Sequence, residues 1–341
     1  MSHRTLKLKS IGTMWDKLLL LLATMVLGCS LGTAGPSSAQ SYPSRPITMV
    51  VPYPAGGPSD AVGRIVAEGM KTSLRQPVLV DNMGGASGSI GTGHVARAAP
   101  DGYTIMLGSW PTHVVNAAVY SLPYDVLVDF EPVSLVATQP LLIVARKTMP
   151  AKTLQELISW LKANPGKASA GGAGAGSANH LASVFFQKET GTHVQFVPYR
   201  GGALAMQDLL AGQIDLIFDL AASALPQLRA GAIKAYAVMA SGRLSAAPEI
   251  PTVDEAGLPG LYVSLWLALW APKGTPKDIV TTLNAAAGDS LVDPRLSKRL
   301  ADLGQELPRR EQQTPQSLAA LQKAEISKWW PIIKAANIRA E

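Results

Sequence analysis

Short runs of β-branched residues alternate with longer segments of helical period along most of the chain, and this alternation constrains the fold more than any other feature. After the run at 47–51, for example, apolar residues recur at helical spacing at Val62, Ile65, Val66 and Met70. The pattern predicts strands at 47–51, 78–80, 103–107, 132–146, 194–197, 216–218 and 233–239, and helices at 60–71, 90–97, 154–163, 178–189, 203–211, 278–290, 295–303 and 315–336. Such an order is typical of an α/β fold whose parallel sheet is covered by helices on both faces.

The first 39 residues have the three-part pattern of a secretory signal peptide. Residues 1–17 are polar and basic, residues 18–27 are apolar, and small residues follow as far as Ala39. The apolar run is short for a bilayer span, because a transmembrane helix needs about 20 residues. We therefore expect cleavage after Ala39 and export to the periplasm. A retained membrane anchor and lipidation of Cys29 are the alternatives.

Composition and charge exclude several classes of protein. The chain has 341 residues, of which 47% are hydrophobic and 16% charged, so it has apolar material for about two folded domains. Half of the net charge of +6 lies in the first 39 residues, and the other charges are scattered, so nucleic acid is not an expected partner. Because Cys29 is the only cysteine, a disulfide framework and a cysteine-rich metal site are excluded.

The sequence carries no recognisable catalytic or metal-binding motif. It has no nucleophile elbow, no zinc-protease motif and no phosphate-binding loop. The histidines at positions 94, 113, 180 and 193 lack metal-ligand spacing, and the glycines at 88–93 lack the dinucleotide-binding order. We therefore expect no catalytic residue, no metal and no cofactor.

Three glycine-rich turns, at 55–60, 84–89 and 171–177, lie where predicted strands give way to helices. In an α/β sheet such turns lie beyond the carboxyl ends of the strands, where ligands bind. Their unpaired N–H groups and the helix dipole suit a carboxylate or a phosphate. In the first turn, Pro58 is a rigid step before a helix that has Ser59 or Asp60 as its N-cap. The alternatives are that these turns only cap helices and that the third is a flexible linker.

Four further side chains have two readings each. Arg200 is either a bidentate clamp on a carboxylate or a solvated surface charge. Asp219 either accepts a hydrogen bond from a ligand amine or hydroxyl, or braces a loop. Trp266 and Trp270 flank an apolar stretch that favours core packing or a hinge contact over ligand stacking.

The order of several short motifs resembles that of the tripartite tricarboxylate transporter substrate-binding proteins, the Bug or TctC-like family of exported receptors. The motifs are YPSRPI (42–47), PYPAGGPSD (52–60), LPYD (122–125) with DF (129–130), NPGK (164–167), GS (176–177) with HL (180–181), VPYRGG (197–202), GQID (212–215), PTV (251–253) with EAG (255–257), and AP (271–272) with GTP (274–276). The resemblance extends from position 42 to the C-terminus. It implies a two-domain, type II periplasmic-binding-protein-like fold that closes on a small ligand.

The resemblance also implies a ligand site in the cleft between the two domains. Family ligands are typically carboxylates, held by strand-to-helix loops largely through main-chain groups and bridging waters. Carried onto this chain, the ligand-binding positions are Tyr53, Ala55, Gly56, Gly57, Ser59, Asp60, Ser87, Ser109, Thr112, Ala175, Gly176, Ser177, Tyr199 and Asp219. Two departures affect the ligand: the run at 171–176 lacks the polar side chains that the family often has there, and Trp110 with Pro111 occupies a stretch that is commonly small and polar.

The resemblance implies that one domain is inserted into the other. We expect one domain at 42–138 plus 265–341 and the second at 139–264, with hinges near Gln139 and Ser264. The function expected from the resemblance is capture of a small organic carboxylate and its delivery to the membrane permease subunits of a tripartite transporter, by a monomer without enzymatic activity. The alternatives are a periplasmic sensor that presents a carboxylate to a membrane signalling protein, and a hydrolase or isomerase.

Overall fold

The computed structural model describes residues 42–174 and 176–339 and contains a nine-stranded sheet with helices packed against it. The predicted signal peptide, Cys29 and Ala175 lie outside the described residues. The strands are β1 (Ile47–Val51), β2 (Val78–Asn82), β3 (Thr104–Ser109), β4 (Phe130–Arg146), β5 (Ser169–Gly172), β6 (Gln195–Pro198), β7 (Leu216–Leu220), β8 (Ile233–Val238) and β9 (Ser264–Pro272).

The helices follow the predicted periodic segments, with two additions, α3 (Asn116–Val119) and α7 (Ala221–Arg229). They are α1 (Pro58–Leu74), α2 (Ser89–Ala96), α3 (Asn116–Val119), α4 (Leu154–Ala163), α5 (Ala178–Thr190), α6 (Gly202–Leu210), α7 (Ala221–Arg229), α8 (Lys277–Val292), α9 (Pro294–Asp302) and α10 (Pro315–Ala335). Helix α7 is absent from the sequence prediction, and the short α3 follows a π-helical turn at Pro111–Val115. Within the described ranges, no helix is both long enough and apolar enough to cross a membrane.

The sheet is mixed, so the prediction of a parallel sheet is wrong in part. Its strand order is β2-β1-β3-β9-β4-β7-β5-β6, and β8 also pairs with β4. The pairs of β1 with β2 and β3, and of β5 with β6 and β7, are parallel. Strand β9 runs antiparallel between β3 and β4, and β4 is antiparallel to β7 and β8. Strand direction depends on how the chain returns to the sheet, which local sequence patterns do not specify.

Strand β4 is 17 residues long and changes partners near its middle. Its first part pairs with β9 as far as Pro140, opposite Ser264. From Leu141 onward its partners are β7 on one side and β8 on the other. One continuous strand therefore links the group of strands around β1 to the group around β5.

Aromatic side chains pack the C-terminal helix α10 against the segment that follows β3. The ring of Trp110 meets that of Trp329 edge to face at 5.3 Å. Both indole N–H groups donate to one carboxylate oxygen of Glu325, at 2.7 Å and 2.9 Å. Burial raises the pKa of Glu325. These contacts fix the segment after β3, which carries the predicted ligand-binding residue Thr112.

Candidate functional site

A cavity of about 560 Å³ lies at the carboxyl end of β1, between the loop that follows this strand and the point where β4 changes partners. Its lining consists of loop backbone, apolar side chains and a few neutral polar groups. The lining residues are Tyr53, Pro54, Ala55, Gly56, Gly57, Pro58, Ser59, Ser109, Pro111, Gln139, Leu220, Leu265, Trp266, Leu267 and Gln305. None of these fifteen residues is charged, so a ligand here is recognised by hydrogen bonds, dipoles and apolar contact.

The first loop is held in shape by Asp60. Helix α1 begins with Gly57 as its N-cap and Pro58 at its first position, so the prediction of Ser59 or Asp60 as N-cap is wrong. Proline suits the first helical position because that position has no intrahelical acceptor for an N–H group. The buried Asp60 carboxylate instead turns back and accepts from the Gly56 N–H at 2.9 Å and from Arg64 Nε at 3.0 Å. The hydrogen bond from Arg64 lowers the pKa of Asp60.

This arrangement determines which backbone amides remain for a ligand. The Gly56 N–H is used by Asp60, and the Gly57 N–H donates weakly to the Pro54 carbonyl at 3.4 Å. The N–H groups of Ser59 and Asp60, in the first turn of α1, have no acceptor in the described part of the chain. Unpaired amides at a helix N-terminus, together with the helix dipole, favour an anion.

Two hydroxyl groups, of Tyr53 and Ser109, line the same cavity as Ser59. The Tyr53 hydroxyl and Ser109 Oγ lie 2.8 Å apart and share a hydrogen bond, and burial raises the pKa of Tyr53. Thr112 lies behind Ser109 and is fully buried. Its hydroxyl accepts from the Ser109 N–H at 2.9 Å and donates to the Ser109 carbonyl at 3.0 Å. Thr112 therefore positions Ser109 and is not itself among the residues that line the cavity.

The next residue, His113, is fully buried and packs against aromatic side chains. Its ring stacks on Trp270 at 4.3 Å and meets Phe130 edge to face at 5.1 Å. Gly108 allows this close approach, since a Cβ there would lie 2.3 Å from His113 Cε1. Complete burial lowers the pKa of His113 to about 3, so the imidazole is neutral at physiological pH.

A second cavity, of about 630 Å³, contains the other predicted turns and shares Pro111 with the first. Ser87, Gly176 and Ser177 all line it, and Trp110 is also part of its wall. Ser87 has a left-handed backbone with φ of 54°, and its Oγ lies 2.8 Å from the Tyr120 hydroxyl. Strained backbone of this kind concentrates at binding sites. The bulky Trp110 is almost completely buried beside this cavity.

Residues predicted for the second half of the site are engaged in hydrogen bonds with neighbouring residues of the protein. Ser177 caps α5 by accepting from the His180 N–H at 3.3 Å, so the third turn is a helix cap and not a free linker. His180 Nδ1 in turn accepts from the Gly176 N–H at 3.1 Å, and burial lowers the pKa of His180. The Tyr199 hydroxyl donates to Asp208 at 2.7 Å, and burial together with Asp208 raises the pKa of Tyr199 to about 12.

Asp219 and Arg200 line neither of these two cavities. Asp219 is the residue before the last one of β7 and is only 5% exposed, and burial raises its pKa. Its Oδ2 atom has no partner among the described residues. Arg200 is exposed at the turn before α6. The two tryptophans are buried, and Trp266 also borders the first cavity.

Sequence reasoning missed two glutamines that line the first cavity. Gln139 lies on β4 and Gln305 follows α9. No local motif surrounds either residue, and they lie opposite each other only because Thr138 and Glu306 form an antiparallel bridge. No pattern within one segment of the sequence could have predicted this pair.

The chain is similar to known proteins over most of its length. Residues 62–338 match the model of the tripartite tricarboxylate transporter family receptor. BugT from Bordetella pertussis is 38% identical over 284 residues, which are 82% of this chain and 87% of that protein.

Two solved structures from Rhodopseudomonas palustris share the fold. MatC with bound malate is 40% identical, with a TM-score of 0.68, and the match covers 86% of this chain and all of MatC. Rpa4515 with adipate is 34% identical, with a TM-score of 0.70 over 87% of this chain and 99% of that one. The α/β fold of periplasmic binding proteins expected from the motifs is thereby confirmed.

The same findings distinguish a binding protein from an enzyme. The matched family and its structural neighbours are periplasmic solute-binding proteins, which confirms the interpretation of the chain as a receptor and not a hydrolase or isomerase. The family expected from the sequence motifs is also confirmed. This chain belongs to the tripartite tricarboxylate transporter family of receptors, which includes the Bug proteins.

Proposed function

We propose that this protein captures a small carboxylate in the 560 Å³ cavity and delivers it to the membrane permease subunits of a tripartite transporter. The observation that carries the proposal is the pair of unpaired amides, of Ser59 and Asp60, where α1 begins beside a cavity without charged side chains. Malate in MatC and adipate in Rpa4515 support a carboxylate as the ligand.

The binding mode follows from the chemistry of the first loop. A carboxylate oxygen accepts from the free amides of α1, and the positive end of the helix dipole offsets its charge. Tyr53 and Ser109 supply hydroxyls beside it, and Ala55, Gly56 and Gly57 supply backbone without bulky side chains. Asp60 and Thr112 act indirectly. Asp60 holds the loop in place through Gly56, and Thr112 holds Ser109.

The remaining predicted residues contribute when the protein closes. Ser87, Gly176 and Ser177 line the second cavity, which shares Pro111 with the first, so a ligand or bridging waters extend from one cavity to the other. We also retain Ala175, Asp219 and the backbone of Tyr199, whose hydroxyl is engaged by Asp208, as predicted ligand contacts. Ligand contacts that exist only in the closed form stabilise that form.

The proposed domains are 42–138 plus 265–341 and 139–264, with hinges near Gln139 and Ser264. The change of partner in β4 supports this division, because Gln139 and Pro140 are the last residues of β4 paired with β9 and Leu141 is the first paired with β7. We further propose that cleavage after Ala39 releases a monomer into the periplasm.

A thermal-shift screen of organic acids against the purified mature protein tests the carboxylate assignment. A ligand at 100 times its Kd stabilises a protein by about 2.7 kcal/mol, which gives a readily measured rise in Tm. We expect at least one mono- or dicarboxylate to produce this rise, and the corresponding alcohol, such as 1,6-hexanediol in place of adipate, to produce none. A panel in which alcohols and acids act alike contradicts the proposal.

Delivery to a permease needs a separate measurement. Uptake of the labelled acid should fall in a strain that lacks this gene and return when the gene is restored. The acid recovered from the purified protein after long incubation should be chemically unchanged. Normal uptake in the deletion strain, with binding intact, contradicts the transport role.

A further inference from the structure

Gln305 presents a buried acceptor that nothing in the described structure satisfies. The residue is 4% exposed, and its Oε1 atom has no hydrogen-bond partner in residues 42–174 and 176–339. A buried polar atom without a partner destabilises the folded protein unless water or a ligand supplies the missing hydrogen bond. Since Gln305 lines the 560 Å³ cavity, a rotation of its carboxamide brings Oε1 within reach of a ligand in that cavity.

The backbone places a second carboxamide beside Gln305. Thr138 and Glu306 exchange two backbone hydrogen bonds, of 2.9 Å and 2.8 Å, in an antiparallel bridge. In this register Gln139 lies opposite Gln305, and side chains of directly opposed residues extend to the same face. Gln139 lines the cavity too, as does Leu265, its partner on β9.

Gln305 borders two pockets, and the face that it shares with Gln139 indicates which of them holds the ligand. Gln305 also borders a groove between α7 and α9, whereas Gln139 and Leu265 line only the cavity. A group bound against Gln139 and Leu265 therefore also lies against Gln305. The two carboxamides form one patch at the crossing of β4, β9 and the segment after α9, and we name Gln139 and Gln305 the glutamine pair.

The chemistry of the glutamine pair limits the group that it can bind. Each carboxamide offers a carbonyl acceptor and an NH₂ donor. No charged residue lines the cavity, so neither a second carboxylate nor an ammonium group would find an ionic partner there. A hydroxyl both donates and accepts one hydrogen bond, and it carries no charge that needs compensation.

We propose that the glutamine pair recognises a neutral hydroxyl at the far end of the ligand, so that the preferred ligand is a hydroxycarboxylic acid with an apolar body. This inference rests on the proposed function, since the carboxylate is taken to bind at the α1 amides. The apolar body lies along Leu220, Leu265 and Leu267. The protein therefore selects against dicarboxylates of the same length.

Three six-carbon acids that differ only in their last group test this selection. The probes are 6-hydroxyhexanoate, hexanoate and adipate, titrated into the mature protein by calorimetry. We expect 6-hydroxyhexanoate to bind about tenfold more tightly than hexanoate, as one satisfied buried hydrogen bond predicts. We expect adipate to bind at least about tenfold more weakly than 6-hydroxyhexanoate, because its second carboxylate has no cation.

Variants of the glutamine pair link the preference to these residues. Gln305→Leu should reduce the affinity for 6-hydroxyhexanoate about tenfold and leave that for hexanoate unchanged, which removes the difference between the two. Gln139→Leu should have the same direction of effect. Gln316→Leu, at an exposed position on α10, is the matched control and should keep the wild-type order. Gln305→Met serves if the leucine variant does not fold, as judged by circular dichroism.

The outcomes separate this inference from the proposed function. If hexanoate and 6-hydroxyhexanoate bind equally, or if Gln305→Leu and Gln305→Met keep the preference, the glutamine pair is not a hydroxyl subsite, and carboxylate capture stands. Tighter binding of adipate than of 6-hydroxyhexanoate also overturns the inference. If no carboxylate in this series or in the wider screen binds, the proposed function fails and the inference fails with it.

Discussion

The two sides of the predicted site use their polar groups differently. The first side is formed by residues 53–59 with Ser109. There Asp60 accepts a hydrogen bond from the loop and Thr112 from Ser109, while two amides of α1 remain unpaired. On the second side, formed by Gly176, Ser177, Tyr199 and Asp219, all four residues make hydrogen bonds within the protein. A sequence motif therefore includes both residues that shape a loop and residues that contact a ligand.

The largest expected effect comes from placing a bulky side chain in the cavity on the first side. Gly57 lines the cavity and has φ of −80°, a conformation that any residue adopts. A Cβ there would lie 3.3 Å from the Pro54 carbonyl oxygen, so Gly57→Leu should fold with a small shift of the loop. The added side chain occupies space beside the α1 amides. We expect binding of the best acid in the screen to weaken at least about 100-fold, equivalent to about 2.7 kcal/mol.

Calorimetry with the variant, and with Gly242→Leu as the matched control, checks this expectation. Gly242 is exposed in a loop, and a Cβ there meets nothing within 4 Å. Wild-type affinity in a folded Gly57→Leu protein would show that the first side does not hold the ligand.

The next prediction concerns the buried His113, which follows Thr112, and the pH dependence of stability. His113 has a folded pKa of about 3, below its unfolded value of about 6.5, so the unfolded chain binds a proton that the folded protein excludes between these two pH values. Stability is therefore unaffected by His113 above pH 6.5 and falls by about 1.4 kcal/mol for each pH unit below it. From pH 6.5 to pH 4.5 the loss is about 2.7 kcal/mol.

His113→Phe keeps a ring against Trp270 and removes the titrating group. Urea unfolding at pH 6.5 and pH 4.5 should show that the variant loses about 2.7 kcal/mol less stability than the wild type over this interval. Equal losses in the two proteins would mean that His113 gains its proton in the folded state.

The smallest effect compares one tyrosine from each side. Tyr53→Phe removes the hydroxyl that bonds to Ser109 in the cavity, and we expect acid binding to weaken about five- to tenfold. Tyr199→Phe removes the hydroxyl that donates to Asp208, and we expect unchanged binding with a loss of about 1 kcal/mol in stability. Titration and urea unfolding of both variants check these outcomes. A larger effect of Tyr199→Phe than of Tyr53→Phe on binding would reverse the comparison.

The elements with clear periodicity could be predicted from the sequence. The bounds of β1 agree with the prediction to the residue, and the expected opening of α10 after Thr314 is confirmed. Strand β9 was missed because it is buried along most of its length and shows no polar alternation. Helix α7 was missed because it follows β7 without a turn and contains Pro226.

Part of the site could also be predicted, because its signal lies within short stretches of the sequence. The turns at 53–60 and 171–177 carry their signal within a few consecutive residues, in glycines and hydroxyls before a helix. The glutamine pair has no such signal, because its two residues meet through a bridge between Thr138 and Glu306, which are 168 residues apart. Residues that become neighbours only through tertiary pairing cannot be located by local spacing.

The long strand β4 also determines how the gene can be divided. Because β4 belongs to the hydrogen-bonded ladder of β9 on one stretch and to those of β7 and β8 on the next, a break between Pro140 and Leu141 would leave unpaired edges in both fragments. Insertions, split reporters or circular permutations of this receptor therefore belong in exposed turns, such as the one around Gly242, and not in the backbone that both groups of strands use.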